Sequence, residues 1–212
     1  MYKVVVGSRS YGIELPKSDT DIFLLDPLVD RYEKHYADGV DHHNAPLAYF
    51  KTLFTADNPP WYFTQLICPQ TALEPSATAT YIEDHREEIA GARKSAIYDV
   101  LLNRGNGLRF CAEDLYARGY TKRAAYAICL YSILSNWADG MTFEEAHRPA
   151  GELHDFLMGV RNQALAAAEV VERVEAERKK AIEAEAFFAE IRADTPIREL
   201  LQIAESEVSD NA

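Results

Sequence analysis

Two aspartates, Asp19 and Asp21, flank Thr20 at the head of an apolar run, Ile22 to Leu25. Side chains on a strand alternate between faces with period two, so this spacing puts both carboxylates on one face. Carboxylates side by side repel, and each resists burial. A divalent cation between them removes both penalties. Their hard oxygens suit Mg²⁺ (or Mn²⁺), which takes one or two carboxylates together with substrate phosphates. Upstream, Gly7-Ser8 ends a second apolar run, Val4 to Val6. Gly7 lets a ligand approach the backbone closely, and a turn there offers N–H groups and a hydroxyl to phosphates. A phosphate turn beside a two-carboxylate strand has the parts for nucleotidyl transfer from a nucleoside triphosphate.

The full stretch reads Gly-Ser-Arg-Ser-Tyr-Gly from Gly7 and Pro-Lys-Ser-Asp-Thr-Asp from Pro16. It resembles the signature of the DNA polymerase β-like nucleotidyltransferase superfamily, and more narrowly the predicted nucleotidyltransferases of the RNA-repair-pathway polymerase β-like family. The strong part covers about the first quarter of the chain. Weaker similarity continues through Asn58-Pro59 and through a Lys-x-x-x-Tyr helix at Lys122 to Tyr126. The resemblance implies that Asp19, Asp21 and a third acid hold metal. Asp41 stands where that acid belongs, with Asp38 and Asp57 as competitors and a solvated loop Asp as the plain alternative. It further implies a triphosphate held by Gly7 and Ser8, with Ser18 in the same turn-rich segment. Arg9 and Lys17 flank this segment, either as phosphate contacts or as surface residues. Lys122, with Arg123, is a second phosphate contact or a solvated surface residue. The acceptor would be an RNA end. Nucleotidylation of a protein or small molecule, and a non-catalytic nucleotide-binding protein, stay open.

Composition narrows the partners. The chain has 212 residues, 48% of them apolar, enough for a packed core. Its formal net charge is −12, with no basic stripe of the kind that grips a nucleic-acid backbone, so long duplexes are excluded as partners. No apolar run reaches membrane-spanning length and no leader is evident, which reads as a cytoplasmic protein. Cys68, Cys111 and Cys129 lie among apolar neighbours and read as buried free thiols. His42 and His43 are adjacent, and adjacent strand residues face opposite ways, which argues against a shared zinc.

These residues need a scaffold. The pattern predicts an α/β (α+β) fold: a small mixed nucleotidyltransferase sheet in a catalytic domain over 1–80, then a helical domain over 81–212. Strands are expected at Val4–Val6, at Asp19–Leu25 and at Val40–His43, with a turn at Ala37-Asp38-Gly39. The stretch Val29–Tyr36 reads as helix or loop. Leu47, Phe50, Leu53 and Phe54 recur at helical spacing after Pro46. Further helices are expected at Trp61–Ile67, Glu83–Gly91 and Ala92–Arg118, the last bent or broken at Asn103–Gly107. One more is capped by Thr121 and ends near Ala138. Thr142 with Glu145 has the form of a capping box. Gly151 to Ile191 lacks a strong breaker after Gly159, with Glu169–Arg173 and Glu175–Lys179 spaced for i,i+4 pairing. A final helix, Ile197–Glu207, leads to a frayed tail. Trp61 and Phe63 read as core, and Tyr126 either lines a cleft or packs.

Overall fold

The β-branched triplet Val4-Val5-Val6 extends as expected, in strand β1 (Lys3–Val6), and Val4 and Val6 turn inward. The computed structural model describes residues 1–68, 72–108, 110–189 and 193–211. Strand β2 (Thr20–Leu25) is followed by β3 (Glu33–Ala37) and β4 (Val40–Ala45). They form one mixed four-stranded sheet of order β1-β2-β4-β3, in which only β2 and β4 run parallel. Asp38 and Gly39, both at positive φ, make the tight hairpin turn between β3 and β4.

Register decides what the inner face presents. Val6, Asp21, Asp41 and Tyr36 stand abreast across the four strands. Two residues deeper on the same face come Val4, Phe23, His43 and Lys34. Beyond them Leu25 and Ala45 are fully buried. The inner face is therefore apolar at one end and carboxylate-bearing at the other.

A helical region follows. Helix α1 (Leu47–Thr55) buries Phe50, Leu53 and Phe54, and the short α2 (Phe63–Leu66) is almost wholly inside. Then come α3 (Ala77–Asp84), α4 (Arg86–Ala92), α5 (Lys94–Gly107), α6 (Ala112–Ala117) and α7 (Thr121–Ala138). After them run α8 (Phe143–Ala146), α9 (Gly151–Arg161), α10 (Ala167–Glu183), α11 (Glu185–Phe188) and α12 (Thr195–Asn211). Helix α7 is the axis, buried on nearly every side and packed by α5, α9 and α10. Helix α12 crosses back to α1, α3 and α4. One continuous set of buried apolar residues joins the sheet to the helices. No helix among the described residues is long and apolar enough to cross a membrane.

Several local expectations need correction. Glu33–Ala37 is an edge strand, mostly exposed, rather than helix or loop. The helix expected over Trp61–Ile67 shrinks to α2. Helices α3 and α4 meet at His85, where one helix over Glu83–Gly91 was expected. The helix expected over Ala92–Arg118 runs unbroken through Asn103–Gly107 and divides just beyond, at Leu108. Thr121 is the first residue of α7, and Tyr120 stands at the cap position without a side-chain cap. The Thr142–Glu145 capping box is present in full. Gln163, at positive φ, marks the break between α9 and α10, and the expected end at Ile191 lies outside the described residues. Arg173 pairs with Glu177, and Lys179 with Glu183, instead of the pairs expected from spacing. Helix α12 continues to Asn211, so the tail is not frayed before that residue. Cys68 and Cys129 are buried, but Cys111 is exposed at the cap of α6.

Gly105 explains how α5 and α7 approach. A Cβ there would lie 2.5 Å from Cε1 of Tyr131, a ring with no exposure. Tyr131 also donates a hydrogen bond to Asn106 Oδ1 at 3.0 Å, so the ring is held in place. Gly105→Ala gains roughly 1 kcal/mol of helix propensity. Overpacking against a fixed ring costs about 1–3 kcal/mol and outweighs it. The variant should be destabilised by up to about 2 kcal/mol, read as a lower urea midpoint at unchanged slope. A midpoint at or above the parent's would mean the helices separate without cost.

Candidate active site

A cleft of about 430 Å³ opens between the carboxylate end of the sheet and the N-terminal end of α7. Asp21 and Gly7 form its floor, with Gln65 and Tyr62 beside them. Lys34 and His43 line the sheet side; Arg104, Lys122, Arg123 and Tyr126 line the helical side. Four cations thus face one carboxylate on its wall, in a chain of net charge −12. Such a concentration of positive charge favours an anion.

The floor is built by local chemistry. Gly7 takes φ +80° and starts a tight turn, Gly7–Tyr11, whose residues Ser8, Ser10 and Tyr11 are buried. Ser10 donates to the Gly7 carbonyl at 2.8 Å, and the Gly7 N–H donates to the buried Gln65 Oε1 at 2.8 Å. One N–H assigned above to a phosphate is therefore already engaged. Asp21 lies directly over Gly7: a Cβ on Gly7 would be 2.3 Å from Asp21 Oδ2. Burial pushes the Asp21 carboxyl up. The neighbouring His43 imidazole, then Lys34 and Lys122, outweigh burial and hold it below its ordinary value. Asp21 is therefore ionised at neutral pH.

The carboxylates are arranged unevenly. Asp41 stands in register with Asp21 on the adjacent strand, roughly 4.8 Å away at the backbone. Its side chain pairs with Lys34 Nζ at 3.0 Å. Asp19 falls one residue before β2 and is exposed, and neither Asp19 nor Asp41 lines the cleft. Asp38 sits in the hairpin turn and Asp57 is exposed beyond α1. Among the described residues, no group of three or more His, Cys, Asp or Glu side chains is placed to hold a metal ion.

The other residues divide between cleft and scaffold. Lys122 and Arg123 reach the cleft from the uncapped first turn of α7. Ser8 is buried with its hydroxyl beside the Tyr126 phenol. Ser18 Oγ accepts from the Leu15 N–H and from Arg161, and the Ser18 carbonyl accepts from Arg9. Ser18 and Arg9 thus brace the turn segment, while Lys17 is exposed away from the cleft. Phe63 is core as expected. Trp61 is only partly buried and also lines the cleft, with Arg104 over its ring at 5.2 Å. Tyr126 both lines the cleft and packs, edge-on to Tyr11 and Trp61. His42 stacks on His35 while His43 faces the cleft, so the two point opposite ways.

Sequence reading missed Gln65, His43, Lys34, Tyr62 and Arg104 as site residues. Each reaches the cleft through tertiary placement. Only the period-two relation of His43 to Asp41 was available as a signal.

Neither a family model, nor a curated protein, nor a solved structure matches this chain.

Proposed function

We propose that the protein is a metal-dependent nucleotidyltransferase that moves a nucleoside monophosphate from a nucleoside triphosphate to a hydroxyl, with an RNA 3′ end as the acceptor. The observation that carries this reading is the placement of an ionised Asp21 against Gly7 on the floor of a cleft lined by four cations. The donors fit one divalent ion held by Asp21, with phosphate oxygens and water completing its shell; Asp41, in register on the adjacent strand, would join it only by giving up its pairing with Lys34. When bound, the ion polarises a phosphoryl oxygen and offsets charge that develops during in-line displacement. Gly7 removes the side chain that would block the phosphates' approach to Asp21. Lys122, Arg123 and Arg104 neutralise the triphosphate from the helical side, and Lys34 does so from the sheet. Catalysis then rests on positioning and charge stabilisation. The net charge of −12 favours a second acceptor class, a protein hydroxyl or a small molecule, because an RNA could be touched at only a few phosphates.

The test is transfer of label from nucleoside triphosphates marked in the α-phosphate, with Mg²⁺ or Mn²⁺, to a mixture of cellular RNA and protein. Label is expected in one acceptor class and is expected to vanish in Asp21→Asn, which keeps shape but loses the charge. Nucleotide binding without transfer under every condition would favour a nucleotide-binding protein. Equal labelling by Asp21→Asn would overturn the assignment of the site.

A further inference from the structure

We infer that His43 is a positioning residue for Asp21, itself oriented by Tyr32; the inference rests on the nucleotidyltransferase reading above. His43 stands on the inner sheet face one rung deeper than Asp21 and Asp41. Its Nε2 is buried without a hydrogen bond, and Asp21 Oδ1 lies 3.6 Å away. Its Nδ1 is 2.5 Å from the Tyr32 hydroxyl. A neutral imidazole has one donor and one acceptor nitrogen, and a carboxylate only accepts. The arrangement therefore puts the hydrogen on Nε2, towards Asp21, while Nδ1 accepts from Tyr32.

Tyr32 is held in turn. Its ring stacks on Tyr49 at 4.7 Å, and the Tyr49 hydroxyl is hydrogen-bonded to that of Tyr62. The two oxygens of Asp21 are thereby distinguished: Oδ1 faces His43, and Oδ2 lies over Gly7. At 3.6 Å the His43 contact is longer than a formed charge-assisted hydrogen bond, about 2.7–2.9 Å. A small turn of the carboxylate closes it and fixes the plane in which its remaining lone pairs face the cleft. Groups that orient a ligand in this way set metal affinity without touching the metal.

The experiment measures Mn²⁺ binding to the intact chain, without nucleotide, from the electron-spin-resonance signal of free Mn²⁺. His43→Leu keeps bulk but loses the N–H; its Mn²⁺ affinity should fall about 10- to 100-fold. In His43→Gln the amide nitrogen can replace Nε2, so most of the affinity should return. Tyr32→Phe should fall between the two. Thermal melting of each variant is recorded alongside, and the expected order does not follow melting temperature. Parental Mn²⁺ affinity in His43→Leu would overturn the positioning role and leave the nucleotidyltransferase reading intact. Equal loss in His43→Leu and His43→Gln would also overturn it, because packing alone would then explain the effect. Where the parent takes up Mn²⁺ only with a nucleoside triphosphate present, the same comparison is made on that complex; a parent that binds no Mn²⁺ in either case would overturn both.

Discussion

Gly7→Ala should abolish the divalent-metal binding and nucleotidyl transfer proposed above while leaving most of the protein folded. Two effects of the added methyl act on different quantities. Gly7 sits at φ +80°, which an alanine adopts only under strain of about 1–3 kcal/mol. That lowers stability by a fraction of the roughly 5–15 kcal/mol typical of a domain. The second effect is local. The new Cβ would stand 2.3 Å from Asp21 Oδ2 and 3.1 Å from Asp21 Cγ, so the carboxylate must leave its place. A side-chain tip moves more cheaply than backbone, so little further stability is lost. The site, however, loses the placement of its one cleft-lining carboxylate. The urea midpoint should therefore fall modestly, while Mn²⁺ binding and label transfer fall to the level of Asp21→Asn. Parental Mn²⁺ affinity in folded Gly7→Ala would show that the placement of Asp21 over Gly7 is without consequence.

Acidification from pH 7 to pH 5 should weaken the fold by about 2 kcal/mol through one residue, His147. Its ring is fully buried, 4.2 Å from that of Phe143, and stacks on Tyr11 at 5.9 Å. Burial pushes its pKa down to about 3, against the favourable Phe143 carbonyl and with help from the Arg86 charge. The unfolded chain takes up a proton near the ordinary value of about 6.5, and the folded chain does not. The neutral ring's advantage is thus fully present above that value. It shrinks as pH falls, by at most about 1.4 kcal/mol per pH unit, until the folded form titrates near 3. His147→Phe removes the group and should flatten the stability profile between pH 6.5 and 5 by about one proton. Urea titrations of parent and variant at several pH values measure this. Identical slopes in the two proteins would show that His147 titrates alike in both states. Because Tyr11 belongs to the turn that begins at Gly7, acid loosening at His147 would also disturb the floor of the cleft.

What could be read from residue order alone was the part governed by local pattern. The β1-turn-β2 unit follows from β-branched residues around a glycine, and α1 follows from helical spacing behind a proline. The strand Glu33–Ala37 was illegible because an exposed edge strand has no buried face to impose alternation on Glu-Lys-His-Tyr. The breaks at His85, Leu108 and Asn162–Ala166 carry no proline, so tertiary packing rather than a strong local breaker divides these helices. At the site, Asp21 and Gly7 were legible because their chemistry is written in adjacent segments. Asp19 stands one residue before β2, exposed and outside the cleft lining, a placement that its spacing from Asp21 did not reveal. Gln65, Lys34 and Arg104 were hidden because ordinary polar residues become site residues only when distant segments converge.

Helix α12 has a consequence for how the molecule is made. Lys51 of α1 pairs with Glu205, 154 positions further along the chain, and Thr78 bonds to Glu207, 129 positions on. The helix that covers α1 and α3 is thus synthesised long after the sheet and the floor of the cleft. At roughly 5–20 residues per second, the earlier segment waits about 10–30 s on the ribosome with that flank uncovered. During this interval the apolar surface that α12 will bury is open to chaperones and to other nascent chains. Contacts of such long sequence separation also form slowly. The cleft should accordingly become rigid late in folding, after the last helix has docked, although its first residues are the earliest to emerge.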